Sequence, residues 1–175
     1  RHAMRANTKR GSRRNIAAHY DLGNAFYRPW LDSTMTYSSA LFVDFEEPLS
    51  VAQRRKYARL AEELDIQPGD RVLEIGCGWG GFAEYAAAEY GCEVVGLTLS
   101  TEQAAYACER MENSGLADQV EIRLQDYRDV RSVFDKIVSI EMFEAVGVEH
   151  WPIYFDTLRQ RLNPGGRAVV QTITI

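Results

Sequence analysis

At 175 residues with 46% hydrophobic content, the chain can bury one sizeable core, and a single domain with a small appendage is expected. No apolar run nears the roughly 20 residues of a membrane-spanning helix and no signal-peptide pattern opens the chain, so a soluble, cytoplasmic protein is expected. The net charge of −5 is uneven: residues 1–14 hold six basic residues and no acid, leaving 14 basic against 25 acidic residues in the rest.

The plain reading of that basic head, 1–14, is a solvated terminus; the alternative is contact with lipid phosphate. Residues 15–64 read as a helical, aromatic-rich cap. Pro29 limits any helix over 15–31, and 32–42 reads as a loop of small hydroxylated residues. Ser50-x-x-Gln53 reads as a capping box for a helix whose Tyr57, Leu60, Ala61 and Leu64 share one face. Pro68-Gly69-Asp70 then turns the chain into a core over 65–175.

That core opens with a buried strand carrying Val72, Leu73 and Ile75. It breaks into Gly76-x-Gly78-x-Gly80 and continues as a helix through Phe82, Ala83, Tyr85, Ala86 and Ala87. Glycines let a ligand lie against bare backbone at a helix N-terminus, so a nucleotide-type ligand is expected. Further strands are predicted over 93–97, 120–124, 136–140 and 167–175. Helices are predicted over 100–113 and 151–162, the second stopped by Asn163-Pro164-Gly165-Gly166. This alternation predicts an α/β fold with a doubly wound, mostly parallel sheet and right-handed crossovers. The ligand belongs outside the C-terminal strand ends beside the first strand. A fifth strand that closes the chain makes the core read as incomplete at its C-terminus. The cysteines, Cys77, Cys92 and Cys108, lack CxxC spacing, and His2, His19 and His150 form no ligand cluster, so no metal is expected.

Glu74-x-Gly76-x-Gly78-x-Gly80 resembles the signature of S-adenosylmethionine-dependent methyltransferases with a Rossmann-like class I core. Six blocks in order extend the likeness over 15–175. They are His19-Tyr20-Asp21-Leu22-Gly23-Asn24-x-Phe26-Tyr27, Met35-Thr36-Tyr37-Ser38, Glu74 to Gly81, Leu97-Thr98-Leu99-Ser100-x-x-Gln103, Asp126-Tyr127-Arg128 and Met142-Phe143-Glu144-x-Val146-Gly147. Together they resemble the cyclopropane-fatty-acyl-phospholipid synthase family, which includes the mycolic acid cyclopropane synthases.

That resemblance implies transfer of a methyl group from S-adenosylmethionine to the cis double bond of an unsaturated phospholipid acyl chain, followed by proton loss and ring closure. It places the enzyme at the inner face of a membrane, with no nucleic acid as partner and a homodimer among the expected assemblies. Gly76 and Gly78 would approach the methionine part, with Glu74 toward its ammonium. Thr98, Leu99 and Gln103 would lie near the cofactor, Asp126 and Tyr127 on its adenine side, and Tyr37 and Ser38 would close over it. For Ser100-x-x-Gln103 a plain helix cap is the competing reading. Tyr20, with Phe26, Tyr27, Trp30, Tyr37 and Phe143, would line the path of a cationic intermediate, though Phe26 and Trp30 read equally as ordinary core. Deprotonation would fall to a bound bicarbonate held by Glu144. Two departures flank that place: Ser39 stands where the family has Cys, and Ala145 where it has His. A methyl or methylene branch instead of a ring, a soluble small-molecule substrate, and a non-catalytic cofactor-binding relative therefore stay open.

Overall fold

The computed structural model describes residues 23–44 and 46–174. The basic head, Tyr20 and the first residues of the aromatic segment lie outside the described residues. Runs of β-branched and aliphatic residues form β1 (Arg71–Ile75), β2 (Glu93–Thr98), β3 (Val120–Leu124), β4 (Phe134–Ile140) and β5 (Leu162–Gln171). Every pairing is parallel and the order is β3-β2-β1-β4-β5, so β1 sits at the centre with its neighbours reached by crossovers.

Helices cover both faces: α1 (Asn24–Tyr27), α2 (Leu49–Leu64), α3 (Gly81–Tyr90), α4 (Thr101–Asn113) and α5 (Trp151–Arg161). Alternate side chains of each strand point to opposite faces, which is why the central strands are apolar on both. Val72, Val94 and Val138 pack with Leu60, Leu64, Phe82 and Met111 on one side. Leu73, Ile75, Leu97 and Ile137 pack with Phe134, Tyr154 and Leu158 on the other.

Two expected details are corrected. α2 begins at Leu49 behind Pro48, and among the described residues no side chain caps it. The expected cap partner Gln53 is buried instead, and its Nε2 donates to the Ser38 carbonyl at 2.8 Å. A proline already fixes the backbone ahead of the first turn, and the amide is worth more satisfying a buried carbonyl. β5 also starts earlier than predicted and ends at Gln171. Leu162 pairs with Phe134, the next pairing is Arg167 with Lys136, and the residues between bulge out of register. The Asn163 side chain donates to Asp135 Oδ1 at 2.7 Å across that bulge, so the Pro-Gly-Gly run shifts the register without ending the strand. By contrast, Ser100 does cap α4, its hydroxyl accepting from Gln103 N at 3.2 Å.

Leu73 is fully buried at the centre of β1. Leu73→Ala is expected to cost about 2–5 kcal/mol, read as a lower midpoint with unchanged slope in urea unfolding.

Candidate functional site

The C-terminal ends of β1, β2 and β4 and the turn after β3 open into a cavity of about 430 Å³. Its floor is the glycine turn. Gly76 and Gly78 have φ of +85° and +54°, which residues with a Cβ rarely adopt. A Cβ on Gly76 would press on Met142 Cγ at 3.0 Å, whereas one on Gly78 would meet nothing within 4 Å among the described residues, which leave the space beside it open.

Glu74, the penultimate residue of β1, lines this cavity at 2% exposure. The Ala83 N–H donates to its carboxylate, yet its Oε2 has no hydrogen-bond partner among the described residues. Burial pushes the Glu74 carboxyl up to about 8, against the smaller pull of Lys56 and Arg110. An orphaned buried acceptor of this kind calls for a cationic donor.

At the end of β2 the polar groups are a hydroxyl and an amide. Thr98 Oγ1 lies 2.7 Å from Gln103 Oε1 and accepts from Ser100 N at 3.1 Å, and Leu99 stands between them on the cavity wall. After β3, Asp126 accepts from Arg128 N at 3.0 Å, from Nε at 2.8 Å and from Nη2 at 2.6 Å. Tyr127 beside it meets the Tyr154 ring edge-on, with centroids 5.5 Å apart.

The roof comes from the residues before α2. Tyr27, Met35 and Trp79 form a small buried cluster, and the Trp79 indole donates to Asn24 Oδ1 at 2.6 Å, which ties α1 to the glycine turn. Thr36 shares a 2.6 Å hydrogen bond with the Tyr57 hydroxyl. Ser38 is clasped twice by α2: Gln53 donates to its carbonyl, and Lys56 Nζ donates to its hydroxyl at 2.6 Å. Lys56 is buried, and desolvation pushes its ammonium down to about 8.

Tyr37, Ser38, Glu74, Gly76, Gly78, Thr98, Leu99, Gln103, Asp126 and Tyr127, the residues expected around a cofactor, all line this one cavity. Of the residues expected at the catalytic centre, the two described ones, Ser39 and Glu144, do not. Ser39 is exposed, and its N–H and hydroxyl donate to Glu141 rather than reaching the lining. Glu144 is exposed on the turn after β4, and its Oε1 accepts from Ile173 N. Tyr20 lies outside the described residues. Sequence reading missed Gln53, Lys56 and Glu141. The first two repeat at i and i+3 on the same face of α2 as Leu60, so a polar pair inside the apolar stripe was the available signal. Glu141 is the first residue beyond β4, where the topology puts ligands.

The profile of the family described as mycolic acid cyclopropane synthetase matches residues 7–175. The chain belongs to this family. It is 47% identical over 171 residues to tuberculostearic acid methyltransferase UfaA1 of Mycobacterium tuberculosis, covering 94% of this chain and 40% of that protein. It is 47% identical over 155 residues to cyclopropane-fatty-acyl-phospholipid synthase of Escherichia coli K12, covering 89% of this chain and 39% of that one. The chain therefore spans about two fifths of the length of these relatives. Among solved structures it resembles the mycolic acid cyclopropane synthase CmaA1 complexed with SAH and CTAB. There the TM-score is 0.83 and the identity 36%, covering 86% of this chain and 53% of that one. As in other members, the sheet and helices are those of the class I S-adenosylmethionine-dependent methyltransferases.

A raised carboxyl carries a definite sign. Between pH 4.5 and about 8 the folded chain holds a proton on Glu74 that the unfolded chain has lost, so this group makes stability fall as pH rises through that window. Glu74→Gln is expected to flatten that decline, read from urea unfolding at pH 5, 6.5 and 8.

Proposed function

We propose that this chain carries the methyl-transfer site of an enzyme that methylates the cis double bond of an unsaturated phospholipid acyl chain and closes it to a cyclopropane. The observation that supports this reading most is the convergence of the expected cofactor residues on one cavity around Glu74, whose Oε2 has no partner among the described residues.

The donor set fits S-adenosylmethionine. Glu74 would accept from the ammonium, and the open space beside Gly78 would take the methionine backbone. Thr98, Leu99 and Gln103 would lie along the ribose, Asp126 would accept from the adenine amino group, and Tyr127 would offer a ring face. When bound, this cofactor supplies an electrophilic methyl group. The protein's share is position and dryness. An alkene is a poor nucleophile, and holding it in line can supply roughly 7 to 11 kcal/mol of barrier lowering. Ile75, Phe82, Leu97, Ile140, Met142 and Val146 line the cavity and keep water from competing.

An acyl substrate at a membrane face agrees with the surface near the roof. Trp30 is 75% exposed and Val43 79%, next to exposed Leu41 and Phe42. The basic head would add attraction to anionic lipid, which supports a cytoplasmic protein peripheral to the inner face. A second reading, a methylene or methyl branch in place of the ring, is favoured by Ser39 and Ala145 and by the 47% identity to a protein named as a tuberculostearic acid methyltransferase.

The experiment is incubation of the full-length protein with methyl-labelled S-adenosylmethionine and vesicles of unsaturated phosphatidylethanolamine and phosphatidylglycerol. Mass spectrometry should find label in the acyl chain, and NMR should show a ring. A branch would select the second reading, and cofactor binding with no labelled lipid would refute both. Gly78→Val should fill the open space and abolish S-adenosylhomocysteine binding in calorimetry; unchanged affinity would remove the glycine turn from the site.

A further inference from the structure

Bicarbonate, the base implied by the family resemblance, does not fit the residues present. Glu144 is outside the cavity lining and already accepts from Ile173 N. Ser39 spends both its N–H and its hydroxyl on Glu141. Glu141 and Glu144 are moored two residues apart, on Gln171 and Ile173, so an added anion there would meet two carboxylates. Like charge opposes its entry.

The lining carboxylates among the described residues are Glu74, Asp126 and Glu141. Asp126 is held by three N–H groups of Arg128, and Glu74 lies deep beside α3 with the Ala83 N–H. Glu141 differs from both. It follows β4 directly, at φ +49°, a left-handed conformation that costs a residue with a Cβ roughly 1–2 kcal/mol. Its N–H donates to Gln171 O at 2.9 Å. Ser39 N and Gln171 Nε2, both at 2.9 Å, and the Ser39 hydroxyl all donate to Oε1. The carboxylate is thus locked through one oxygen, and no donor among the described residues reaches Oε2. The cavity wall also carries Ile140, Met142, Ala145 and Val146, and the buried Lys56 ammonium is close enough to feel the Glu141 charge.

We propose that Glu141 is the catalytic base of this site, accepting on Oε2 the proton lost from the methylated acyl chain. The inference rests on the acyl-methylation reading above. Once the methyl has been transferred, the acyl chain bears one positive charge. Glu141 removes a hydrogen as a proton, and the electron pair of the broken C–H bond stays with carbon. If the hydrogen leaves the transferred methyl, that pair closes the third side of a cyclopropane; if it leaves a carbon adjacent to the cation, it forms a C=C bond. The carboxylate becomes a neutral acid, the product is uncharged, and the proton is later lost to water. No separate anion is required. Ser39 and Gln171 are positioning residues that aim the carboxylate.

The test uses the full-length protein saturated with S-adenosylhomocysteine, which permits no turnover, and measures binding of two amphiphiles below micelle formation at pH 8. Decyltrimethylammonium carries the positive charge of the intermediate, and decyldimethylamine oxide carries no net charge. Glu141→Gln keeps an Oε1 acceptor for Ser39 and Gln171, so its S-adenosylhomocysteine affinity should match wild type. It should bind the cation about tenfold more weakly and the amine oxide within about twofold. Turnover of labelled methyl into lipid should fall about 100-fold or more. Equal cation binding by Glu141→Gln, selective loss on Glu144→Gln instead, or wild-type turnover that vanishes in bicarbonate-free buffer and returns on its addition would each overturn the proposal. Failure of the wild type to bind either amphiphile would overturn the acyl reading and this proposal with it.

Discussion

The parallel pairing of β1 between β2 and β4 is the constraint on which everything else rests. With a partner on each edge and helices on each face, its backbone is paired on both sides, and Val72, Leu73, Glu74 and Ile75 are buried. Such a strand can only end by turning away from the sheet. Gly76 makes that turn, and its N–H and that of Cys77 still donate to Leu97 O, so the turn stays pinned to β2 as the chain leaves. The crevice beside the turn is a product of the sheet, and the chemistry of the site is set by what borders it.

One buried carboxylate shows how packing and chemistry are coupled there. Glu74 sits in the same strand as Leu73 and Ile75, where an apolar residue would pack at no electrostatic cost. Its retention with an oxygen unpartnered among the described residues keeps the protein below the stability this core could reach. Lys56 repeats the pattern on α2, a buried ammonium whose visible bond is to Ser38 on the cavity wall. Both groups make sense as parts of a site and neither as parts of a core.

Much of this was legible in the sequence because local patterning and global fold agree. The βα alternation, the glycine spacing and the apolar strands each follow from backbone rules that act over a few residues, and the parallel, doubly wound sheet followed from them. The cavity-lining residues were reached through the short blocks of the family resemblance, most of them at strand ends and one, with Tyr37 and Ser38, before α2, and the fold carries them to one place. What escaped was non-local. Nothing around Ser50-x-x-Gln53 says that Gln53 will face a loop carbonyl 15 residues earlier in the chain. Asn163-Pro164-Gly165-Gly166 reads as a stop, and only the Asn163 bond to Asp135 on the neighbouring strand makes it a bulge. Glu141 stands three positions before Glu144, just ahead of the Met142 to Gly147 block. Their separation into one cavity-lining residue and one outside it comes from the turn that begins at Glu141, whose positive φ no residue type advertised.

The bonds that join the roof to the strand ends are among the longest-range in the chain. Ser39 is 102 residues from Glu141 and 132 from Gln171. Bringing such distant segments together costs chain entropy, and a few hydrogen bonds at an exposed edge do not repay it alone. Glu141 and Gln171 come side by side only when β4 and β5 have paired, because that pairing sets the Glu141 N–H against the Gln171 carbonyl. The β4–β5 edge of the crevice must therefore exist before Ser39 can fasten the cover to it, whereas Ser38, tied to Gln53 and Lys56, is held by a helix nearby in the chain.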